Sequence, residues 1–153
     1  MKLICEVSPD TEHDEIIIRC RERNEKIRLL EGVIENVIRG DSELALTIRD
    51  REYYVPKNDI LYFETDDGRV KAHTAERIFT TEYKLFELEK IMPPSFVRVS
   101  KSCVLNIMKV ESIKRNPLGA SEVQLRGCDK RVYVSRAYYK LLRDRLDELR
   151  LKR

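Results

Sequence analysis

Residues 96–107 read FVRVSKSCVLNI and change character halfway along. In the first half, apolar and polar residues alternate, which is the period-two pattern of a strand with one buried and one solvated face. From Cys103 to Ile107 the residues are almost all apolar, which indicates that the chain enters the core. The sequence therefore predicts an exposed polar corner between two strands, and this corner holds Ser100, Lys101 and Ser102.

The residues on both sides of this stretch have the spacing of short strands and turns. The alternation predicts strands over residues 44–49, 53–55, 60–65, 70–74 and 77–80 before it, and over 111–115, 121–126 and 131–135 after it. Asp67-Gly68 supplies the positive φ angles of a tight hairpin. A short helix is predicted over 82–92, capped by Thr81 and stopped by Pro93-Pro94, and a terminal helix is predicted to begin at Ser135.

The first 43 residues are predicted to form a separate extension. Residues 1–7 and the β-branched run in residues 15–20 fit two strands. An amphipathic helix follows, with Asn24 as its cap and Gly40 at its end. Its apolar stripe contains Ile27, Leu30, Ile34, Val37 and Ile38. We expect this helix either to cover the sheet of the later domain, residues 44–153, or to pair with a second copy.

Charge is distributed unevenly along the chain. Residues 1–50 hold 8 basic and 12 acidic residues, whereas residues 51–153 hold 22 basic and 15 acidic ones. Between residues 95 and 143 there are 11 basic residues against 3 acidic ones, a local excess that attracts polyanions. Charge alone does not separate a nucleic-acid surface from a solubilising one.

Signals of an enzyme or of a bound cofactor are weak. The five glycines are scattered, so no phosphate-binding loop is predicted. Neither His13 nor His73 lies in a catalytic or metal-ligating pattern. The four cysteines, Cys5, Cys20, Cys103 and Cys128, lack the spacing of a metal site, and we expect reduced thiols. We therefore predict no catalytic activity, no metal, no cofactor and no small-molecule substrate.

Four stretches in chain order resemble the LytTR-type DNA-binding domain of bacterial transcriptional regulators. They are ILYFE at 60–64, FVRVSKSCVLNI at 96–107, VESI at 110–113 and VSRAYYKLL at 134–142. Together they span residues 50–147 approximately. Ser100-Lys101 stands where many members carry His-Arg, and this form looks like that of small stand-alone members. The resemblance implies an α+β fold, predominantly β, of antiparallel sheets with short helices, to which the N-terminal β-β-α extension is added.

The resemblance also implies that loops at a sheet edge, rather than a recognition helix, enter successive grooves of double-stranded DNA. Arg69 and Arg136 are the candidates for reading bases, because arginine pairs with guanine through two hydrogen bonds. The other predicted contacts, mostly to phosphate, are Lys71, Arg98, Ser100, Lys101, Ser102, Ser135, Tyr139 and Lys140. The alternative for Arg98 and Lys101 is that they solvate an edge strand.

We accordingly predict a sequence-specific transcriptional regulator that acts as a homodimer on DNA. Two other classes stay open: an RNA-binding β module, and a protein-interaction module that acts with a membrane-bound regulatory partner. No apolar run is long enough to cross a membrane and acid follows soon after the N-terminus, so we expect a cytoplasmic protein.

Overall fold

The structure is a computed structural model that describes residues 2, 4–10, 12, 14–38 and 42–151, without the side chains of Asn36 and Leu151. The predicted helix end at Gly40 and the histidine His13 lie outside these residues. In chain order, the described elements are helix α1 (Glu25–Ile38), strands β1 (Glu43–Ile48), β2 (Arg51–Pro56), β3 (Tyr62–Asp66), β4 (Arg69–His73) and β5 (Ile78–Thr81), helix α2 (Leu85–Ile91), strands β6 (Phe96–Ser100), β7 (Cys103–Asn106), β8 (Val110–Lys114), β9 (Ser121–Leu125) and β10 (Arg131–Val134), and helix α3 (Arg136–Leu146).

The strands form two antiparallel sheets. One has seven strands in the order β2-β1-β5-β4-β3-β7-β6, and the other has three in the order β10-β9-β8. The predicted class, α+β with a predominance of antiparallel strands, is confirmed. The hairpin predicted at Asp67-Gly68 joins β3 to β4, and both residues have positive φ angles of 50° and 74°.

Two hydrophobic cores lie on opposite faces of the seven-stranded sheet. The first core joins this sheet to the three-stranded sheet and α3, and the second joins it to α2. Along β7, Cys103 and Leu105 belong to the first core and Val104 to the second. Since both faces of β7 are covered, its first three residues are all apolar rather than alternating with polar ones.

The extension before residue 44 differs from its prediction. Among described residues 2, 4–10, 12 and 14–24, no strand forms, so the two strands predicted there are absent from the described part of the chain. Ile16 and Ile17 are 62% and 65% exposed. A β-branched run favours a strand only when a neighbouring strand pairs with its backbone, and no described strand does so here.

Helix α1 agrees better with its prediction. The Oδ1 atom of Asn24 accepts a hydrogen bond from the backbone N–H of Ile27 over 3.1 Å, as expected of an N-cap. Ile27 is buried and Leu29 packs on the first core. The carboxylate of Glu25 lies 3.8 Å from Arg145 near the C-terminus. The first half of α1 thus packs on the later residues, whereas Val37 and Ile38 at its end are exposed.

The two other helices start differently from their predictions. Helix α2 begins at Leu85 after Lys84, not after Thr81, whose hydroxyl instead accepts a hydrogen bond from the N–H of Tyr83. The carboxylate of Glu87 reaches back to the N–H of Lys84 over 2.8 Å and fixes the later start. Ser135 does occupy the N-cap position of α3, but its hydroxyl makes no capping hydrogen bond.

Candidate nucleic-acid interface

Three segments lie side by side at one end of the seven-stranded sheet. They are the hairpin tip between β3 and β4, residues 66–69, the β6–β7 turn, residues 100–102, and the beginning of α3, residues 135–140. The N–H of Thr65 donates to the carbonyl oxygen of Ser102 over 2.8 Å, and the N–H of Ser135 donates to that of Val99 over 2.9 Å. We call these three segments together the basic edge.

The structure exposes four cationic side chains along the basic edge. Arg69 lies on the hairpin tip, Lys101 on the β6–β7 turn, and Arg136 and Lys140 on the first two turns of α3. None of the four forms an ion pair with a described residue. Their charges are therefore available to an anionic ligand.

Lys71, by contrast, is neutralised within the hairpin. Its ammonium group is hydrogen-bonded to the carboxylate of Asp66. This contact raises the pKa of Lys71 and lowers the pKa of Asp66. The ion pair braces the base of the hairpin and leaves Arg69 as its exposed cation.

Two of the three serines of the basic edge, Ser100 and Ser135, are turned towards the protein. The Oγ atom of Ser100 accepts a hydrogen bond from the N–H of Ser102 over 3.2 Å, a local bond that shapes the turn. The hydroxyl oxygen of Ser135 is buried and has no hydrogen-bond partner among the described residues. Of these three serines, only Ser102 is an exposed residue.

The two neighbouring tyrosines of α3 have similar surroundings. Both Tyr138 and Tyr139 are half-buried and pack against the first core. The guanidinium carbon of Arg115 lies 5.2 Å from the ring centroid of Tyr139. Tyr139 therefore presents only part of its surface at the basic edge, beside the cation Arg115.

Arg98 is placed differently from the other predicted contacts. Its side chain is only 20% exposed, and its guanidinium is hydrogen-bonded to the carbonyl oxygens of Ser100 and Lys101 and to the carboxylate of Glu89. Its guanidinium is therefore held against the β6–β7 turn, while the residue also lines a groove beside α2.

A groove of about 610 Å³ adjoins the basic edge on the side of α2. Its lining includes Arg69 and Lys101, and also Arg49 from the β1–β2 turn and Lys84 from the residue before α2. Neither Arg49 nor Lys84 is among the contacts predicted from the sequence. They come from chain segments 35 residues apart, and only the pairing of the strands brings them to the same groove.

Chemically, this arrangement suits a polyanion rather than a reaction. No group of three or more His, Cys, Asp or Glu side chains that could hold a metal ion occurs among the described residues. Burial raises the pKa of the Cys103 thiol to about 12, so the cysteine next to the turn is not a thiolate at neutral pH. In the part of the chain that the structure describes, no helix is long and apolar enough to cross a membrane.

The sequence model of the LytTr DNA-binding domain matches residues 50–147, which is more than half of the chain. The chain belongs to the LytTr DNA-binding domain family. The LytTr match covers all ten predicted contacts and every strand from β2 to β10.

Individual relatives agree with this assignment. An HTH-type transcriptional regulator of Staphylococcus aureus strain NCTC 8325 / PS 47 is 26% identical over 147 residues, which cover 95% of this chain and 98% of that protein. A regulator so named from strain MSSA476 is 32% identical over 98 residues, or 63% of this chain and 66% of that protein. The solved LytTr DNA-binding domain of a Bacillus cereus protein has a TM-score of 0.64 at 26% identity and covers 69% of this chain and 96% of that one.

Proposed function

We propose that this protein is a sequence-specific transcriptional regulator that binds double-stranded DNA through the basic edge and has no catalytic role. The observation that carries the proposal is the alignment of three segments at one end of one sheet, each with an exposed cation: Arg69, Lys101 and Arg136. Membership of the LytTr family and the names of the Staphylococcus aureus relatives support it. Such a regulator acts in the bacterial cytoplasm.

In the mode of binding that we propose, loops enter the DNA grooves. The hairpin tip enters one major groove, the β6–β7 turn faces the minor groove beside it, and the start of α3 enters the next major groove. Arg69 and Arg136 read guanine through two hydrogen bonds each. Lys101, Ser102 and Lys140, with the N–H groups at the start of α3, hold phosphates.

The groove beside α2 extends this surface. Arg49 and Lys84 are exposed on its walls, and both face the same open space as Arg69 and Lys101. We propose that these two residues contact the phosphates that flank the base-reading segments. Contacts of this kind increase affinity for every sequence alike.

Recognition by loops fits the order of the elements better than recognition by a helix pair does. Five described strands separate α1 from α2, and five more separate α2 from α3. A helix-turn-helix unit needs two consecutive helices joined by a short turn. No such pair occurs among the described α-helices, although the Staphylococcus aureus relatives carry that term in their names.

We propose further that two copies bind DNA together through α1. One small domain covers limited DNA surface, so a second copy adds both affinity and specificity. Val37 and Ile38 are 64% and 69% exposed at the end of α1, and Leu30 and Ile34 on the same stripe are half-buried. A membrane-bound regulatory partner that covers this stripe is the competing proposal for the same surface.

The test of the proposed function compares two triple variants of the full chain. One replaces Arg69, Lys101 and Arg136 by alanine. The control replaces Arg77, Lys109 and Arg126 by alanine. These residues line a cleft at the opposite end of the sheet, and their replacement removes the same amount of positive charge. Binding to a 30-base-pair DNA duplex and to the RNA duplex of the same sequence is measured by fluorescence anisotropy at several salt concentrations.

We expect wild-type protein and control to bind DNA more tightly than RNA, with affinity that falls steeply with salt, and the basic-edge variant to lose most of this binding. Equal losses in the two triple variants would contradict a DNA surface at the basic edge. Tighter binding to the RNA duplex would favour an RNA-binding module, and no salt-dependent binding at all would favour a protein-interaction module.

A further inference from the structure

The guanidinium of Arg98 is used almost entirely within the protein. Its Nε atom donates to the carbonyl oxygen of Ser100 over 2.7 Å, and an Nη2 hydrogen is donated to the carbonyl oxygen of Lys101 over 2.5 Å. Both acceptors are main-chain atoms of the β6–β7 turn. A planar guanidinium that donates hydrogen bonds to two consecutive carbonyl groups fixes the orientation of the peptide between them.

The third hydrogen bond of Arg98 connects the turn to helix α2. Nη1 donates to Oε2 of Glu89 over 3.1 Å. Helix α2 is itself held in place, because Leu85 and Leu88 are buried in the second core. Arg98 and Glu89 therefore connect the turn to a helix that is anchored in the core of the domain.

The backbone at this place is irregular and needs such support. The register between β6 and β7 shifts between Arg98 and Ser100, so that Val99 is an extra residue in the ladder. A bulge of this kind leaves main-chain groups without ladder partners and bends the strand. The side chain of Arg98 donates to the carbonyl oxygens of Ser100 and Lys101 within the turn, while Lys101 itself stays exposed and lines the groove beside α2.

We propose that Arg98 is a positioning residue, which does not contact DNA but, together with Glu89, fixes the β6–β7 turn in the shape that lets Lys101 and Ser102 meet their groove. This inference rests on the proposed function. It changes the expected role of Arg98, whose place in the sequence predicted a direct contact. It also gives a role in DNA recognition to an acidic residue, Glu89, which simple electrostatics would count against binding.

The two roles differ in how they respond to substitution by lysine. Lysine keeps the charge of Arg98, so a phosphate contact survives in Arg98→Lys, but a single ammonium cannot hold two carbonyls and a carboxylate in the same planar fork. We expect Arg98→Lys to bind its selected duplex about tenfold more weakly, the size of one lost charge-assisted hydrogen bond. Binding to random-sequence duplex and the dependence of affinity on salt are expected to stay as in the wild type.

Replacing Glu89 provides an independent test, because a positioning role and a purely electrostatic role predict opposite changes in DNA affinity. Removing an acid near a DNA surface raises affinity if only charge matters. The matched control is Glu82→Ala, which removes an acid that lines the groove and makes no hydrogen bond or ion pair with the described residues of the turn. We expect Glu82→Ala to bind the selected duplex as well as or better than the wild type, and Glu89→Ala to bind it several-fold more weakly.

The measurement is made on the full chain with the duplex that the wild-type protein selects from a randomised pool, and thermal unfolding checks that each variant is folded. Selection is repeated with Arg98→Lys, and we expect preference to weaken only at the base pairs next to the turn. Wild-type affinity in Arg98→Lys, or a gain in Glu89→Ala equal to that in Glu82→Ala, would overturn the inference and leave the proposed function intact. Failure of the wild-type protein to select any motif would overturn the proposed function itself.

Discussion

The backbone N–H of Thr65 donates a hydrogen bond to the carbonyl oxygen of Ser102 over 2.8 Å and joins the hairpin of β3 and β4 to the β6–β7 turn. The two residues are 37 positions apart in the chain. Because β3 and β7 are neighbours in the sheet, the exposed cations Arg69 and Lys101 share one edge. The predictions about DNA binding depend on this shared edge.

Arg136 is predicted to read a base. Replacing it by alanine should cost roughly 1 to 3 kcal/mol of binding free energy on the selected duplex and relax preference at one base pair. The matched control is Arg126→Ala at the opposite end of the sheet, which should leave preference unchanged. Both are measured by titration of the selected and random duplexes. If Arg136→Ala lowers affinity equally for the two duplexes, the residue does not read sequence.

Lys101 is predicted to hold phosphate. The variant Lys101→Ala should bind all sequences more weakly by a similar factor and lower the slope of log affinity against log salt by about one unit. Affinity is measured at four or more salt concentrations. A changed base preference with an unchanged slope would instead place Lys101 among the base-reading residues.

His73 should make stability depend on pH. Burial lowers its pKa below the ordinary 6.5, although Glu64, whose Oε1 lies 2.8 Å from His73 Nε2, acts in the opposite direction. The unfolded chain therefore binds a proton at higher pH than the folded one does. The contribution of His73 to stability is complete above pH 6.5 and is lost as pH falls from 6.5 through its folded pKa.

The measurement that checks this is urea unfolding at several pH values between 8 and 5. The control variant is His73→Gln, which keeps a hydrogen-bonding group beside Glu64. Its free energy of unfolding should vary less with pH over that range than the wild type's. Identical pH profiles for the two proteins would show that His73 does not set the dependence.

Tyr62→Phe should not weaken the fold. The hydroxyl of Tyr62 is buried without a hydrogen-bond partner among the described residues, and the ring stacks on His73 with 4.2 Å between centroids. Removing an unpaired buried hydroxyl relieves a desolvation cost, so the free energy of unfolding should stay the same or rise by up to about 1 kcal/mol. A loss of more than about 1 kcal/mol in chemical denaturation would indicate that the hydroxyl has a partner.

The end of α1 is predicted to join two copies. The double variant Val37→Asp, Ile38→Asp changes two exposed side chains, so the fold should survive while the apolar surface is lost. Sedimentation velocity should then show a dimer for the wild type and a monomer for the variant. The control is Ile78→Asp, which changes an exposed isoleucine on β5 rather than on α1. A wild-type protein that is monomeric both free and on DNA would contradict dimerisation.

Much of the fold follows from local sequence. Alternation located the strands, and Asp67-Gly68 and Asn24 marked a hairpin and a helix start that the structure contains. The same rules predicted a strand at residues 15–20, where none is described, because β-branched residues favour a strand without providing its partner. Local propensity describes what a segment can become, whereas pairing depends on what lies beside it.

The interface was predictable in outline but not in detail. The sequence pointed to the cations at 69, 101 and 136, and the structure places them on one edge. The sequence alone could not show that the Arg98 side chain turns inward. The direction of this side chain depends on the bulge at Val99 and on the hydrogen bond to the carboxylate of Glu89. Nor could the sequence show that Arg49 and Lys84 line the same groove, because their proximity follows from the order of the strands in the sheet.

The most direct test of the central claim is selection of bound duplexes from a randomised DNA pool by the full chain, at a low and a physiological salt concentration. The account predicts a recurrent motif that persists at the higher salt and contains guanines at the positions that become unspecified in Arg69→Ala and Arg136→Ala. Enrichment without a motif, lost entirely at the higher salt, would contradict sequence-specific recognition by the basic edge.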